Sequence, residues 1–246
     1  MALELTPFEY NFFFALTIVV LVVKLALMVF LGKKMYDRKK KTGEFTFGFV
    51  FSVFVVISCL FISRLLYVQF DFFLTRFDPE KYYLMPNVLF WKIASLITSI
   101  GYAVFIFVTD KKVLDFKLKG IIAYIILIFA LIQLFYPVST SQDFELISTL
   151  AMVANMVAIV IPVLFFYMGW KSPEFRKPCF LIAIGVILYA IGANIIVESI
   201  LAPLAGAFGL GIRVVMFLIS LIFKVTGLIL FSYGITRFVI VFSKEK

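Results

Sequence analysis

Any chemistry in this chain has to come from a few charged and amide side chains set inside long apolar runs. Lys24, Arg64, Lys92, Glu198 and Lys224 all fall within stretches that are otherwise nearly free of ionisable groups. At the centre of a bilayer each would cost about 2.5–3.5 kcal/mol. Lys224, in Ile219-Ser220-Leu221-Ile222-Phe223-Lys224-Val225-Thr226-Gly227, lies close to the middle of its run. Its side chain reaches roughly 6 Å, against roughly 15 Å to either edge of the hydrocarbon. It is therefore expected to point into a helix bundle, with Ser220 one turn away on the same face. Arg64, Lys92 and Glu198 share a depth, and an ion pair of Glu198 with Lys92 or Arg64 would lower the burial cost of both members. Arg64 is also near enough to the end of its run to snorkel. Lys24, about eight residues or roughly 12 Å from the end of its run, is expected to snorkel in part.

Uncharged polar residues follow the same bias. Ser58, Ser95, Asn155, Asn194 and Ser220 occur at similar depths, and the other halves of their runs are almost purely apolar. An outward-facing polar cavity explains this asymmetry, and so does hydrogen bonding between helices without a cavity. The cavity reading gives a ligand-binding set of Arg64, Lys92, Asn155, Asn194, Glu198, Ser220 and Lys224. Its net positive charge favours a small anionic or carbonyl-bearing ligand. Pro162 removes a backbone donor inside the same region and is expected to act as a hinge.

Other chemistries lack their parts. The chain has no histidine, which removes imidazole as a metal ligand and as a general base. Cys59 and Cys179 fall at different depths and are not expected to pair. Phosphate-cradling, zinc-protease and serine-hydrolase motifs are absent. The expectation is a protein that is not an enzyme, with no catalytic residues, no metal and no resident cofactor.

The elements that must carry these residues are transmembrane helices. Of 246 residues 64% are hydrophobic and only 15% charged, with a mean hydropathy of +1.13. Soluble domains run nearer 45–50% and about 25%. Seven apolar runs are long enough to span, near residues 10–32, 46–67, 86–109, 119–137, 145–170, 178–202 and 213–236. They lack the alternation of a β-barrel strand. The expected fold is all-α, a polytopic membrane protein made of a single seven-helix transmembrane domain over 1–246. The first run is followed, not preceded, by its basic cluster, so it reads as a retained span rather than a cleaved signal.

Orientation follows from lysine and arginine. The 33–41 connection holds six, Lys111, Lys112, Lys117 and Lys119 make four in the third, and Lys171, Arg176 and Lys177 make three in the fifth. The C-terminal tail adds Arg237, Lys244 and Lys246, whereas the opposite face has Arg76, Lys81 and Arg213. Positive residues are retained in the cytoplasm, which puts the N-terminus outside and the C-terminus inside, in the cell membrane. The net charge of +9 is thus a topology signal that also attracts anionic lipid, and nucleic acid is not an expected partner. The longest external connection, from Val68 to Met85, carries Phe70, Phe72, Phe73, Phe77, Tyr82 and Tyr83. It is expected as an interfacial aromatic belt or as a lid over an outward cavity. Trp91 and Trp170, near span ends, are expected as interfacial anchors.

The segments Ile62-Ser63-Arg64-Leu65-Leu66 through Tyr82-Tyr83-Leu84, and Lys224-Val225-Thr226-Gly227 through Ser232-Tyr233-Gly234, resemble those of uncharacterised seven-span integral membrane proteins of archaea. The general plan is also similar to the membrane halves of seven-span sensor kinases, without a kinase domain after Lys246. The stretch Phe223 to Leu230 superficially resembles the retinal-lysine helix of microbial rhodopsins. That resemblance implies retinal on Lys224, but the third span lacks a counterion acid and the sixth lacks the tryptophan and proline pattern. The resulting expectation is a receptor or sensor that binds a small ligand in an outward pocket and signals to a separate cytoplasmic or intramembrane protein partner. A small-solute transporter and a scaffold subunit of a membrane complex are the alternatives.

Overall fold

The computed structural model describes residues 6–43, 48–155, 157–209 and 211–242. Among these the chain is helical throughout, joined by turns, with no strand. The α-helices are α1 (Pro7–Thr42), α2 (Phe49–Val68), α3 (Asn87–Val113), α4 (Ile121–Phe135), α5 (Ser141–Asn155), α6 (Val157–Lys171), α7 (Arg176–Asn194), α8 (Glu198–Phe208) and α9 (Gly211–Phe242). A π-helical stretch, Gln69–Leu74, continues α2.

Among the described residues, five segments are long and apolar enough to cross a bilayer: Pro7–Asp37, Phe49–Leu74, Asn87–Lys112, Pro173–Asn194 and Gly211–Ile240. They correspond to the first, second, third, sixth and seventh expected spans. The fourth is shorter than expected, since the 15 residues of α4 rise roughly 22 Å, below the roughly 30 Å of a hydrocarbon core. Where the fifth span is expected, the described residues form α5 and α6, and residue 156 lies outside the described residues. The sixth ends at Asn194 rather than running to 202. There the Asn194 side chain donates to the Ala190 carbonyl at 2.8 Å, Val197 turns extended, and α8 begins anew.

Large apolar residues such as Val22, Val29, Ile128, Ile159, Val163 and Ile222 are exposed on the helix surfaces. Water would penalise such faces, whereas lipid accepts them. Helical backbones that satisfy themselves, apolar outer faces and five spanning lengths define a multi-pass membrane protein.

The chain forms two compact units. One contains residues 24–157. Its α2 and α3 run antiparallel in close contact, because Gly101 leaves no room for more: a Cβ there would lie 2.8 Å from that of Cys59. Phe49, at the start of α2, meets Phe105 near the end of α3. Helix α4 returns along α3, so that Gly120 packs on Phe107 while Tyr136 lies beside Lys92. At that second end Phe70, Tyr82, Trp91 and Phe144 cluster, with contacting ring centroids 5.0–6.4 Å apart.

The other unit contains residues 6–23 and 158–246. Its centre is an antiparallel pair, α7 and α9, packed backbone to backbone. Gly185 and Gly192 on α7 are seven residues apart, as are Gly227 and Gly234 on α9. A Cβ at Gly185 would lie 2.5 Å from the Phe231 nitrogen, and one at Gly227 would lie 2.6 Å from the Gly185 oxygen. In lipid, where apolar surface gives little drive for association, this approach supplies the attraction through dispersion and short polar contacts. At the other end of the unit, Phe13 stacks on Phe217 with centroids 3.7 Å apart.

Candidate ligand-binding residues

Within the first unit, Lys92 projects from α3 to the end of α4. Its ammonium donates to the Tyr136 carbonyl at 2.5 Å and the Leu134 carbonyl at 3.4 Å, and the residue is 8% exposed. Helix-end carbonyls lack intrahelical donors and carry the negative end of the helix dipole. A lysine placed there satisfies them and finds a counter-charge. One turn along α3, Ser95 donates to Gln133 Oε1 at 2.8 Å, and Gln133 Nε2 donates to the Ile147 carbonyl at 3.2 Å. Gln133 is 2% exposed and ties α3, α4 and α5 together.

Arg64 lies 3.6 Å from Asp71, one continuous helical path further on. The intervening transition from α- to π-helix is closed by Thr75, whose amide and hydroxyl both donate to the Phe70 carbonyl. Lys24 is buried and donates to the Leu60 carbonyl at 2.8 Å, so it does not snorkel as expected. The 75–86 connection is a folded structure rather than a simple belt. Asp78 caps the short turn Pro79–Lys81, and Lys81, 3.0 Å away, holds the Asp78 carboxyl below the usual carboxylate range. Phe70 and Phe72 are buried under it while Phe73 faces outward. Trp91 packs on Phe144, whereas Trp170 is exposed as an anchor would be.

In the second unit, Ser220 donates to the Gly192 carbonyl at 2.6 Å. Lys224, half-buried, follows one turn later, and its backbone lies on the seam with α7: a Cβ at Gly192 would lie 3.0 Å from the Lys224 main-chain nitrogen. Asn194 is exposed and its amide folds back on its own helix. Pro162 is buried inside α6. The side chains of Asn155 and Glu198 lie outside the described residues.

Of the seven expected ligand-binding residues, Arg64, Lys92 and Asn155 thus belong to the first unit. Asn194, Glu198, Ser220 and Lys224 belong to the second. The residue that sequence reading missed is Gln133, the one amide in the apolar run 121–135, and that isolation was the available signal. Asp110 was missed as well. Buried at 1% exposure, it accepts from the amides of Leu118 at 3.0 Å and Gly120 at 2.7 Å. The described residues include no group of three or more His, Cys, Asp or Glu suited to a metal ion.

The fold therefore defines the class as an all-helical, multi-pass membrane protein. No protein-family model, curated protein or solved structure matches this chain.

Proposed function

We propose that the chain is a seven-transmembrane receptor or sensor of the cell membrane, with its N-terminus outside. In this reading it binds a small anionic or carbonyl-bearing ligand at Lys224 and signals to a separate cytoplasmic partner. The observation that carries the reading is the position of Lys224. A cation set midway along a 32-residue apolar helix is rare, and such positions commonly mark ligand or ion sites. This one stands on the tight α7–α9 seam, next to Gly192 and Ser220. A ligand engaging Lys224 bears directly on that seam, and a backbone-to-backbone contact cannot yield by small degrees. Ligand binding would shift the two helices between discrete packings.

The orientation is supported by three helices that carry the same device. Lys34 lies over Phe30, Lys171 over Tyr167 and Arg237 over Tyr233, each cation one turn beyond its ring. Rings at the hydrocarbon edge with cations just beyond mark an interface, and all three cations flank the connections richest in Lys and Arg.

The test is a thermal-shift screen of purified protein against small carboxylates, phosphates and aldehydes, repeated on Lys224→Met. A ligand that stabilises the wild type and not the variant supports the reading. Stabilisation that survives in Lys224→Met removes Lys224 from the site. The scaffold-subunit alternative needs intramembrane charges left for another protein, whereas Lys24 and Lys92 both donate to carbonyls of their own bundle. Copurification of a stable membrane partner, with no ligand response, would select it.

A further inference from the structure

The end of α3 and the turn into α4 hold four lysines, Lys111, Lys112, Lys117 and Lys119, in nine residues on either side of one exposed aromatic ring. The turn is a locked structure. Asp110 receives the Leu118 and Gly120 amides on its carboxylate, and its main-chain oxygen receives the Leu114 and Phe116 amides at 3.2 and 2.9 Å. Four donors converge on one residue. They hold Asp115, Phe116, Lys119 and Gly120 at positive φ, between 48° and 71°, a region that residues other than glycine rarely adopt. Such a conformation persists only where its surroundings dictate it. The result keeps Phe116 41% exposed, its ring edge-on to Phe107 at 5.9 Å. Just beyond the turn, Ile121 and Tyr124 on α4 are exposed, so lipid begins within one helical turn of the lysines.

We propose that this turn is a binding platform for the headgroup of an anionic phospholipid, with the lysines on its phosphate and Phe116 inserted at the level of the upper acyl chain. Charge and position select the occupant. Asp110 is buried and consumed by amide donors, which leaves Asp115 as the only exposed acid among the described residues 110–120, against four exposed lysines. A ring beside them at the bilayer edge suits an amphiphile rather than a free anion. Because the acid that locks the turn lies beneath it, the lysines stay arrayed without the ordering cost a flexible tail would carry on binding. This inference is independent of the receptor reading and requires only that the chain reside in a bilayer.

Native mass spectrometry of the full chain in non-ionic detergent, titrated with phosphatidylglycerol or phosphatidylcholine, tests it. The expected result is preferential retention of phosphatidylglycerol, with affinity falling roughly fivefold for each lysine removed in Lys117→Gln/Lys119→Gln. The control Lys39→Gln/Lys40→Gln, in the basic stretch of α1, should retain the preference. Asp110→Asn keeps every lysine but loosens the turn, and is expected to weaken phosphatidylglycerol binding as well. Should that variant fail to fold, Phe116→Ser provides the same test of the held geometry. Equal retention of the two lipids, or an unchanged preference in the double lysine variant, overturns the proposal. So does displacement of the lipid by millimolar glycerol phosphate, which would mark a site for a soluble phosphate.

Discussion

Lys92 Nζ stands 2.5 Å from the carbonyl oxygen of Tyr136, so a cation on the third helix closes the end of the fourth. This contact converts a residue expected to line a binding pocket into one that holds two helices in register. Its removal should be felt as instability. Lys92→Met fills a similar volume but orphans the Tyr136 and Leu134 carbonyls, and hydrogen bonds from a charged donor are worth about 1.5–3 kcal/mol. A loss of that order in reversible unfolding with a denaturing detergent is the expected result. An unchanged stability would return Lys92 to the list of groups available to a ligand.

The glycines of the second unit offer a contrast within one residue type. Gly185→Ala must drive a methyl to within 2.5 Å of the Phe231 nitrogen, which the antiparallel pair can accommodate only by separating. Overpacking of this kind costs about 1–3 kcal/mol. Gly206, on α8, has nothing within 4 Å of a Cβ, and there Ala should gain about 0.5–1 kcal/mol through helix propensity. Melting temperatures of the two single variants should move in opposite directions.

These two cases show what the sequence could and could not reveal. The apolar runs and the basic connections follow from the cost of charge in hydrocarbon, and five of the runs reappear as spanning helices. The partners of Lys24 and Lys92 were not legible, because Leu60 and Tyr136 receive them on backbone carbonyls. Side-chain chemistry can be read from residue types, but an acceptor present in every residue leaves no trace in them. Arg64 was hidden for a different reason: its partner Asp71 falls in the expected external connection, and the pair forms because α2 continues there as a π-helical stretch. The break at Asn194 was hidden for a related reason, since it depends on one side chain folding back on its own turn.

Ser95, Gln133 and the Ile147 carbonyl form a chain of two hydrogen bonds through the first unit. A double-mutant cycle on Ser95→Ala and Gln133→Leu isolates the first of them. Bonds between membrane helices measured in this way contribute about 0.6 kcal/mol on average, up to about 1.7. The coupling should fall in that range, and the Gln133→Leu variant alone should lose more than Ser95→Ala because it also removes the bond to the Ile147 carbonyl. Equal losses would mean that the Gln133 amide does not bridge to α5.

Asp143 gives the chain an acid-sensitive element outside the spanning segments. The amides of Ser139 and Thr140 and the Thr140 hydroxyl all donate to it at 2.9 Å, and this holds its carboxyl below the usual carboxylate range. The folded pKa is depressed, so the stabilisation is complete above the unfolded value near 4 and disappears as pH falls through the folded value. The start of α5 should therefore loosen only in that acidic window. In Asp143→Asn the corresponding part of the pH dependence of melting should vanish, while the wild type and variant should converge at the lowest pH. A difference that persists unchanged into strong acid would exclude the carboxylate as its source.

The number of crossings can be decided at a single connection. Five spans or seven both leave the termini on opposite sides, so a terminal reporter does not distinguish them. If α4 and the α5–α6 pair cross, the 136–141 connection lies on the same side as Glu80; if they do not, it lies with Lys40. Helix α4 leaves Phe107 and Asp110 near the end of α3 and arrives at Lys92 near its start. Phe144 then stacks on Tyr82 of the preceding connection. With Cys59 and Cys179 replaced by alanine, single cysteines at Glu80, Ser139 and Lys40 should divide two to one. A membrane-impermeant maleimide added outside intact cells is expected to label Glu80→Cys and Ser139→Cys, and to reach Lys40→Cys only after permeabilisation. Labelling of Ser139→Cys together with Lys40→Cys would reduce the bundle to five spans, and with them the proposed receptor architecture would have to be redrawn.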